Sequence, residues 1–118
     1  MPRTKGGFKT RQRRKRVLKR AKGNWGARRK LFPIAKDTVD RGLAYAFAGR
    51  KQKKRQYRNL WVTRINAAVR PLQLSYSRLV NGLKRAKVEL DRRVLAELAQ
   101  SDPAAFQAVA GIAKQHLA

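Results

Sequence analysis

The feature that most restricts this chain is where its charge sits. Of 31 Lys and Arg residues, 22 fall in the first 60 positions, accompanied there by only two acids, Asp37 and Asp40. The first 30 positions hold 14 basic side chains, no acid and seven apolar ones. Such a stretch cannot bury enough apolar surface to offset its ordering entropy, so alone in water it is expected to be disordered or only fleetingly helical. The remaining 58 positions carry nine Lys and Arg against four acids, and 30 of them are apolar. That half can build a core, although its length is near the lower limit for autonomous folding. The expected organisation is a basic arm over 1–59 and a compact domain over 60–118.

A formal net charge of +25 on 118 residues is strongly self-repelling unless a polyanion neutralises it, and nucleic acid is the first candidate. The absence of cysteine excludes disulfides, thiolate catalysis and Cys-based metal sites. The longest apolar run, Leu43 to Ala48, is far short of the roughly 18 residues that span a bilayer. The basic N-terminus lacks an apolar h-region, so no secretory signal is expected.

The pattern predicts an all-α fold. Sustained two-residue alternation is missing, and Ala, Leu, Lys, Arg and Gln dominate. A first helix is predicted over Thr10–Lys22, stopped by Gly23-Asn24-Trp25-Gly26. A long one follows over Ile34–Arg70, opened by Pro33 and closed by Pro71, a rod of roughly 55 Å. Gly42 and Gly49 are its possible bend points. Ser75 is placed to cap a helix over Ser77–Ala86, and Asp91 another running to Gln100. Ser101-Asp102-Pro103 starts a last helix ending near His116. Core faces are assigned to Trp61, Ile65, Ala68 and Leu72; to Leu79, Val80 and Leu83; to Val94, Leu95 and Leu98; and to Phe106, Val109, Ile112 and Ala113.

Two basic runs carry the functional signal, Arg13-Arg14-Lys15-Arg16 and Arg50-Lys51-Gln52-Lys53-Lys54-Arg55. Successive helical side chains turn by about 100°, so each run sends charge in every direction around its axis. A membrane-surface helix needs an apolar face opposite the basic one, and a helix in one DNA groove needs its charges mainly on the groove side. Charge all round suits a crevice in a large folded RNA. Trp25, Phe32, Tyr45, Phe47 and Tyr57 lie among the charges, where they can stack on bases or pack against the arm itself. Gly23 and Gly26 allow close approach to a sugar-phosphate chain, or simply make a turn. Trp61, by its spacing to Ile65 and Ala68, belongs to the core.

Nothing suggests an enzyme. His116 is the only histidine, no phosphate-binding glycine loop or hydrolase motif occurs, and no metal or cofactor is expected. Asp37 and Asp40, next to Lys36 and Arg41, read as local salt-bridge partners within the long helix.

Four stretches carry a resemblance. They are Lys19-Arg20-Ala21-Lys22-Gly23-Asn24-Trp25-Gly26-Ala27-Arg28, Arg55-Gln56-Tyr57-Arg58-Asn59-Leu60-Trp61-Val62-Thr63-Arg64-Ile65-Asn66-Ala67-Ala68, Tyr76-Ser77-Arg78-Leu79-Val80-Asn81-Gly82-Leu83-Lys84-Arg85-Ala86 and Asp91-Arg92-Arg93-Val94-Leu95-Ala96-Glu97-Leu98-Ala99. In this order, over nearly the whole chain, they resemble the bacterial large-subunit ribosomal protein L-twenty family. The resemblance implies a helical arm threaded into large-subunit ribosomal RNA, a small helical C-terminal domain, an early role in subunit assembly, and a place in a bacterial or organellar ribosome. It further implies possible repression of the protein's own mRNA, and neighbours of the L-thirteen and L-twenty-one types. Matching the motifs assigns RNA contacts to Arg13, Arg14, Lys15, Arg16, Lys19, Arg20, Lys22, Arg28, Lys53, Lys54, Arg55, Arg58 and Arg64. In the C-terminal domain it suggests Asn66, Ser77, Asn81, Lys84, Arg85, Arg92 and Arg93. The arm's charge pattern adds Arg3, Lys5, Lys9, Arg11, Arg29, Arg50 and Lys51, and the aromatic in its glycine turn, Trp25, is added as a stacking candidate. Pro33 and Ala48-Gly49 depart from the family pattern, which bears on the straightness of the long helix.

Two other classes compete. One is a DNA-binding architectural or regulatory protein, in which the helices at 77–86 and 91–100 form a helix-turn-helix with Arg92 and Arg93 near its recognition helix. The other is a membrane-active cationic peptide, disfavoured by the all-round charge and the foldable C-terminal half.

Overall fold

The computed structural model describes residues 2–117. Among the described residues five α-helices follow one another: α1 Gly7–Arg20, α2 Phe32–Val69, α3 Tyr76–Arg85, α4 Arg92–Ser101 and α5 Pro103–Gln115. Single 3₁₀ turns occupy Gly26–Arg29 and Arg70–Leu72. No strand occurs among the described residues, so the fold is all-α. The chain separates into two compact units, one up to Lys51 and one from Gln52, and α2 contributes to both.

In the first unit, α1 begins three residues earlier than its periodicity predicts and ends two earlier. It has no buried residue of its own. Only Thr10, Val17 and Leu18 are half-buried. Ala21, which follows α1, and Ala35 in α2 are fully buried, and small side chains let backbones approach closely. The Arg14 guanidinium lies over the Phe32 ring, 5.3 Å from its centroid. α2 has 38 residues and stays continuous through Pro33, Gly42 and Gly49. Pro33 sits in its first turn, where the missing N–H is not needed. The two glycines do not interrupt the hydrogen-bonded ladder.

The second unit holds the core. Ile65 and Val69 of α2, Leu79 and Leu83 of α3, Leu95 and Ala96 of α4, and Phe106, Ala110 and Ala113 of α5 are buried together with Leu74. Both α3 and α4 pack on α5. Each of these three helices starts at a side-chain cap. Ser75 Oγ accepts from Arg78 N at 3.4 Å, Asp91 Oδ1 from Val94 N at 2.8 Å, and Asp102 Oδ1 from Ala105 N at 3.0 Å. These caps satisfy N–H groups that the helices leave free.

Two helix ends close by the same device. Leu74 N donates to Val69 O and Gln73 N to Arg70 O, with Gln73 left-handed at φ 57°. Val88 N donates to Leu83 O and Lys87 N to Lys84 O, with Lys87 at φ 54°. Both are Schellman closures; Val69, Leu74 and Leu83 at these ends belong to the core, and Val88 packs against it. Pro71 therefore does not simply stop the long helix: the chain passes through it as a 3₁₀ turn before reversing at Gln73.

The core differs from its predicted faces in two places. Val94 and Ile112 are exposed, at 45% and 41%, while Ala96 and Ala110 take the buried positions. In α5 the buried stripe is Phe106, Ala110 and Ala113, with steps of four and three. Ile112 lies two positions from Ala110 and so points well away from that stripe. Trp61 is half-buried against the core edge.

Candidate nucleic-acid interface

The charged face of α1 follows from helix geometry. Thr10, Val17 and Ala21 fall within a narrow sector of its circumference, and that sector is the less exposed one. Lys9, Arg11, Arg13, Arg14, Lys15, Arg16, Lys19 and Arg20 occupy the rest and are all exposed. The charge is thus spread round most of the helix, interrupted by one thin stripe. Arg3 and Lys5 precede α1, Lys22 follows it, and Arg28 and Arg29 lie on the 3₁₀ turn; all five are exposed.

Every residue from Asp40 to Leu60 of α2 is exposed; at about 100° per residue, Arg50, Lys51, Lys53, Lys54, Arg55 and Arg58 cover rather more than half of the circumference, and Gln52, Gln56 and Asn59 occupy the remaining side. Arg64, one turn further on, is half-buried.

The aromatic side chains divide by environment. Trp25 is 90% exposed, held in a turn whose flanking Gly23 and Gly26 have φ of 90° and 57°. Those are left-handed conformations that other L-residues adopt only at a cost. Tyr45 is open to solvent. Phe47 and Tyr57 each carry a lysine over the ring, Lys51 at 5.3 Å and Lys53 at 5.8 Å. Tyr57 also leans on Trp61, with 6.1 Å between ring centroids. Phe32 is half-buried under Arg14, so it serves packing within the arm.

The two acids face different surroundings. Asp37 lines a recess of about 510 Å³ with Asn24, Arg28, Arg41 and Tyr45. Asp40 lines another, of about 710 Å³, with Arg13, Arg16, Lys19 and Arg20 of α1. Asp37 thus shares its recess with Arg41 of the same helix. For Asp40 the neighbouring cations come from α1.

In the second unit, Ser77, Asn81 and Lys84 recur at steps of four and three on the exposed side of α3, with Arg85 at its flank. Arg92 is half-buried, and its Nε donates to the Tyr76 hydroxyl at 2.7 Å. Arg93 is exposed. Asn66 and Ser77 meet in a groove of about 710 Å³ that Arg70, Tyr76 and Arg78 also line. Those three escaped the sequence reading. Arg78 could have been found from its seven-residue spacing to Arg85, which puts both on one side of α3; for Arg70 no comparable signal exists.

Among the described residues no cluster of His, Asp and Glu could hold a metal ion. No described helix is long and apolar enough to cross a membrane.

The family model described as "Ribosomal protein L20" matches residues 3–109. A protein of Geobacter metallireducens named "Large ribosomal subunit protein bL20" is 60% identical over 117 residues, covering 99% of this chain and 100% of its own length. The protein of that name from Syntrophotalea carbinolica is also 60% identical over 117 residues, covering 99% of each chain. That from Desulfosudis oleivorans is 59% identical over 113 residues, covering 96% of this chain and 97% of its own.

Proposed function

This chain belongs to the ribosomal protein L20 family, and on that footing we propose that it is a structural constituent of the large ribosomal subunit. It binds large-subunit ribosomal RNA directly and promotes its folding during assembly. Its role is architectural and involves no reaction. The observation that carries this reading is the exposed basic surface of α1 and of residues 50–58 of α2, where cations cover most of one helix and one broad side of the other with no acid among them. Each Lys or Arg set against phosphate releases condensed counterions and contributes roughly 0.7–0.9 to the salt slope of binding. Neutralised RNA helices can then approach one another, and the arm fixes their orientation. Arginine suits this bridging because its planar fork grips two phosphate oxygens or stacks on a base.

The division of labour is an RNA-penetrating arm over 1–59 and a prefolded foothold over 60–118. The contacts of the arm are the cations named above with Trp25. Those of the foothold centre on Asn66, Ser77, Asn81, Lys84, Arg85, Arg92 and Arg93. The same foothold surface supports repression of the protein's own mRNA, and the L-thirteen and L-twenty-one types are its protein neighbours.

A crosslinking map of assembled large subunits tests the arm. Crosslinks from residues 10–58 to ribosomal RNA are expected; a stretch that is fully accessible and uncrosslinked refutes the proposal. Competition separates RNA from DNA: duplex DNA that displaces the protein from ribosomal RNA at comparable concentration would favour a DNA-binding role.

A further inference from the structure

We propose that the groove between the end of α2 and the start of α3 is a receptor for one unstacked nucleotide of single-stranded RNA, with adenine the favoured base. This rests on the RNA-binding role above and specifies part of it. The groove is shallow and open to solvent, a shape that suits a base docking edge and face from a single strand better than a fully enclosed small ligand. Val62 and Leu74 give it an apolar wall, Arg70 and Arg78 supply charge, and none of its lining residues is acidic. An apolar wall beside two guanidinium groups matches a base attached to a phosphate.

Tyr76 is fixed before any ligand arrives. Its hydroxyl oxygen already accepts from Arg92 Nε at 2.7 Å, which holds the ring and leaves the phenolic hydrogen free to donate. A half-buried aromatic locked in this way is a ready stacking platform, worth about 1–3 kcal/mol per base in single-strand binders.

Gln73 gives the proposal its base preference. It holds the left-handed position of a Schellman closure, φ 57° and ψ 32°, where glycine is the least costly residue. A glutamine there bears backbone strain, and the residue lines the groove. With Asn66, the groove then has two carboxamides, the side chains whose paired donor and acceptor match the edge of adenine.

The test is a nuclear magnetic resonance titration of the ¹⁵N-labelled full chain with each of the four nucleoside 5′-monophosphates. About 0.5 M KCl shortens the Debye length to about 4 Å and suppresses binding by the arm. Adenosine monophosphate should give saturable shifts at the Asn66 and Gln73 side-chain amides, at least threefold tighter than uridine monophosphate. The double substitution Arg70→Ala with Arg78→Ala should abolish saturation by all four. Gln73→Gly, which relieves the strain and so keeps the fold, should reduce the adenine preference below twofold. Inorganic phosphate reproducing the same shifts, equal affinity for all four nucleotides, or shifts confined to the arm would each overturn the proposal. Retention of large-subunit ribosomal RNA at low salt is measured on the same samples. A silent groove in a chain that still retains RNA refutes this inference alone, whereas loss of both refutes the RNA-binding role as well.

Discussion

Arg92 Nε donates to the Tyr76 hydroxyl over 2.7 Å, joining the first turn of α4 to the first turn of α3. These helices are separated by the six residues 86–91. The bond is charge-assisted and partly buried, so it stabilises more than a neutral surface one. Tyr76→Phe is expected to lower the stability of the second unit by about 1–2 kcal/mol. Urea titration of the full chain at Trp61 emission reads this out, since Trp25 is already 90% exposed and changes little on unfolding. An unchanged midpoint would show that water substitutes fully for the phenol.

Gly82 and Gly111 should respond to alanine with opposite sign. A Cβ on Gly82 would meet the backbone of α5, the Ala113 carbonyl oxygen and Cα, the latter at 2.9 Å. Gly82→Ala must push α3 off α5 and should cost about 1–3 kcal/mol. A Cβ on Gly111 meets nothing within 4 Å, so Gly111→Ala should gain about 0.5–1 kcal/mol from helix propensity. Thermal melts of the two variants against the parent check both signs at once.

Lys87 carries a left-handed backbone at φ 54° and is exposed. A non-glycine residue in that region bears roughly 1–2 kcal/mol of strain, only part of which is offset by the greater unfolded freedom of glycine. Lys87→Gly should therefore raise the unfolding midpoint, by the equivalent of about 0.5 kcal/mol. A lowered midpoint would mean the lysine side chain contributes more than its backbone loses.

Trp61→Ala should cost about 2 kcal/mol, less than the 3–5 typical of a fully buried aromatic, because the ring sits at the core edge. The same substitution removes the partner of Tyr57, whose ring centroid is 6.1 Å away. Urea unfolding followed by circular dichroism measures the loss, and a change below about 0.5 kcal/mol would place the indole outside the core.

Replacing Arg13, Arg14 and Arg16 together with glutamine should reduce the slope of log affinity against log salt by about 2–3 for ribosomal RNA. Filter binding over a salt series gives the slope directly. A slope that does not move would mean these side chains touch no phosphate.

Much of the architecture was legible because it depends on local chemistry. Ser75, Asp91 and Asp102-Pro103 mark helix starts by their capping atoms, and all three caps form. Ile65, Leu79, Leu83, Leu95 and Phe106 fall on buried stripes because periodicity locates them. What escaped depends on tertiary context. Val94 looks as apolar as Leu95, and only the direction from which α5 packs leaves it outside. Ala96 and Ala110 carry too little side chain to announce a buried position. Gln73 and Lys87 turn the backbone left-handed without glycine, so no composition signal marks those reversals. The groove at Asn66 and Ser77 needs the reversal at Gln73 to exist, so nothing local marks Arg70 as part of it. The charge of the arm could be read directly, whereas the stripe of Thr10, Val17 and Ala21 emerges only with α2 beside it.

The unbroken exposure of Asp40 to Leu60 also governs how long this polypeptide survives unaccompanied. A helix without a packed face is held mainly by its own ladder, and such segments open at little cost. This one carries Arg41 and then Arg50, Lys51, Lys53, Lys54, Arg55 and Arg58, each a cleavage point for trypsin-like proteases. Free chains are therefore expected to be cut first between Arg50 and Arg58, so that removal of unaccompanied copies needs no dedicated sensor.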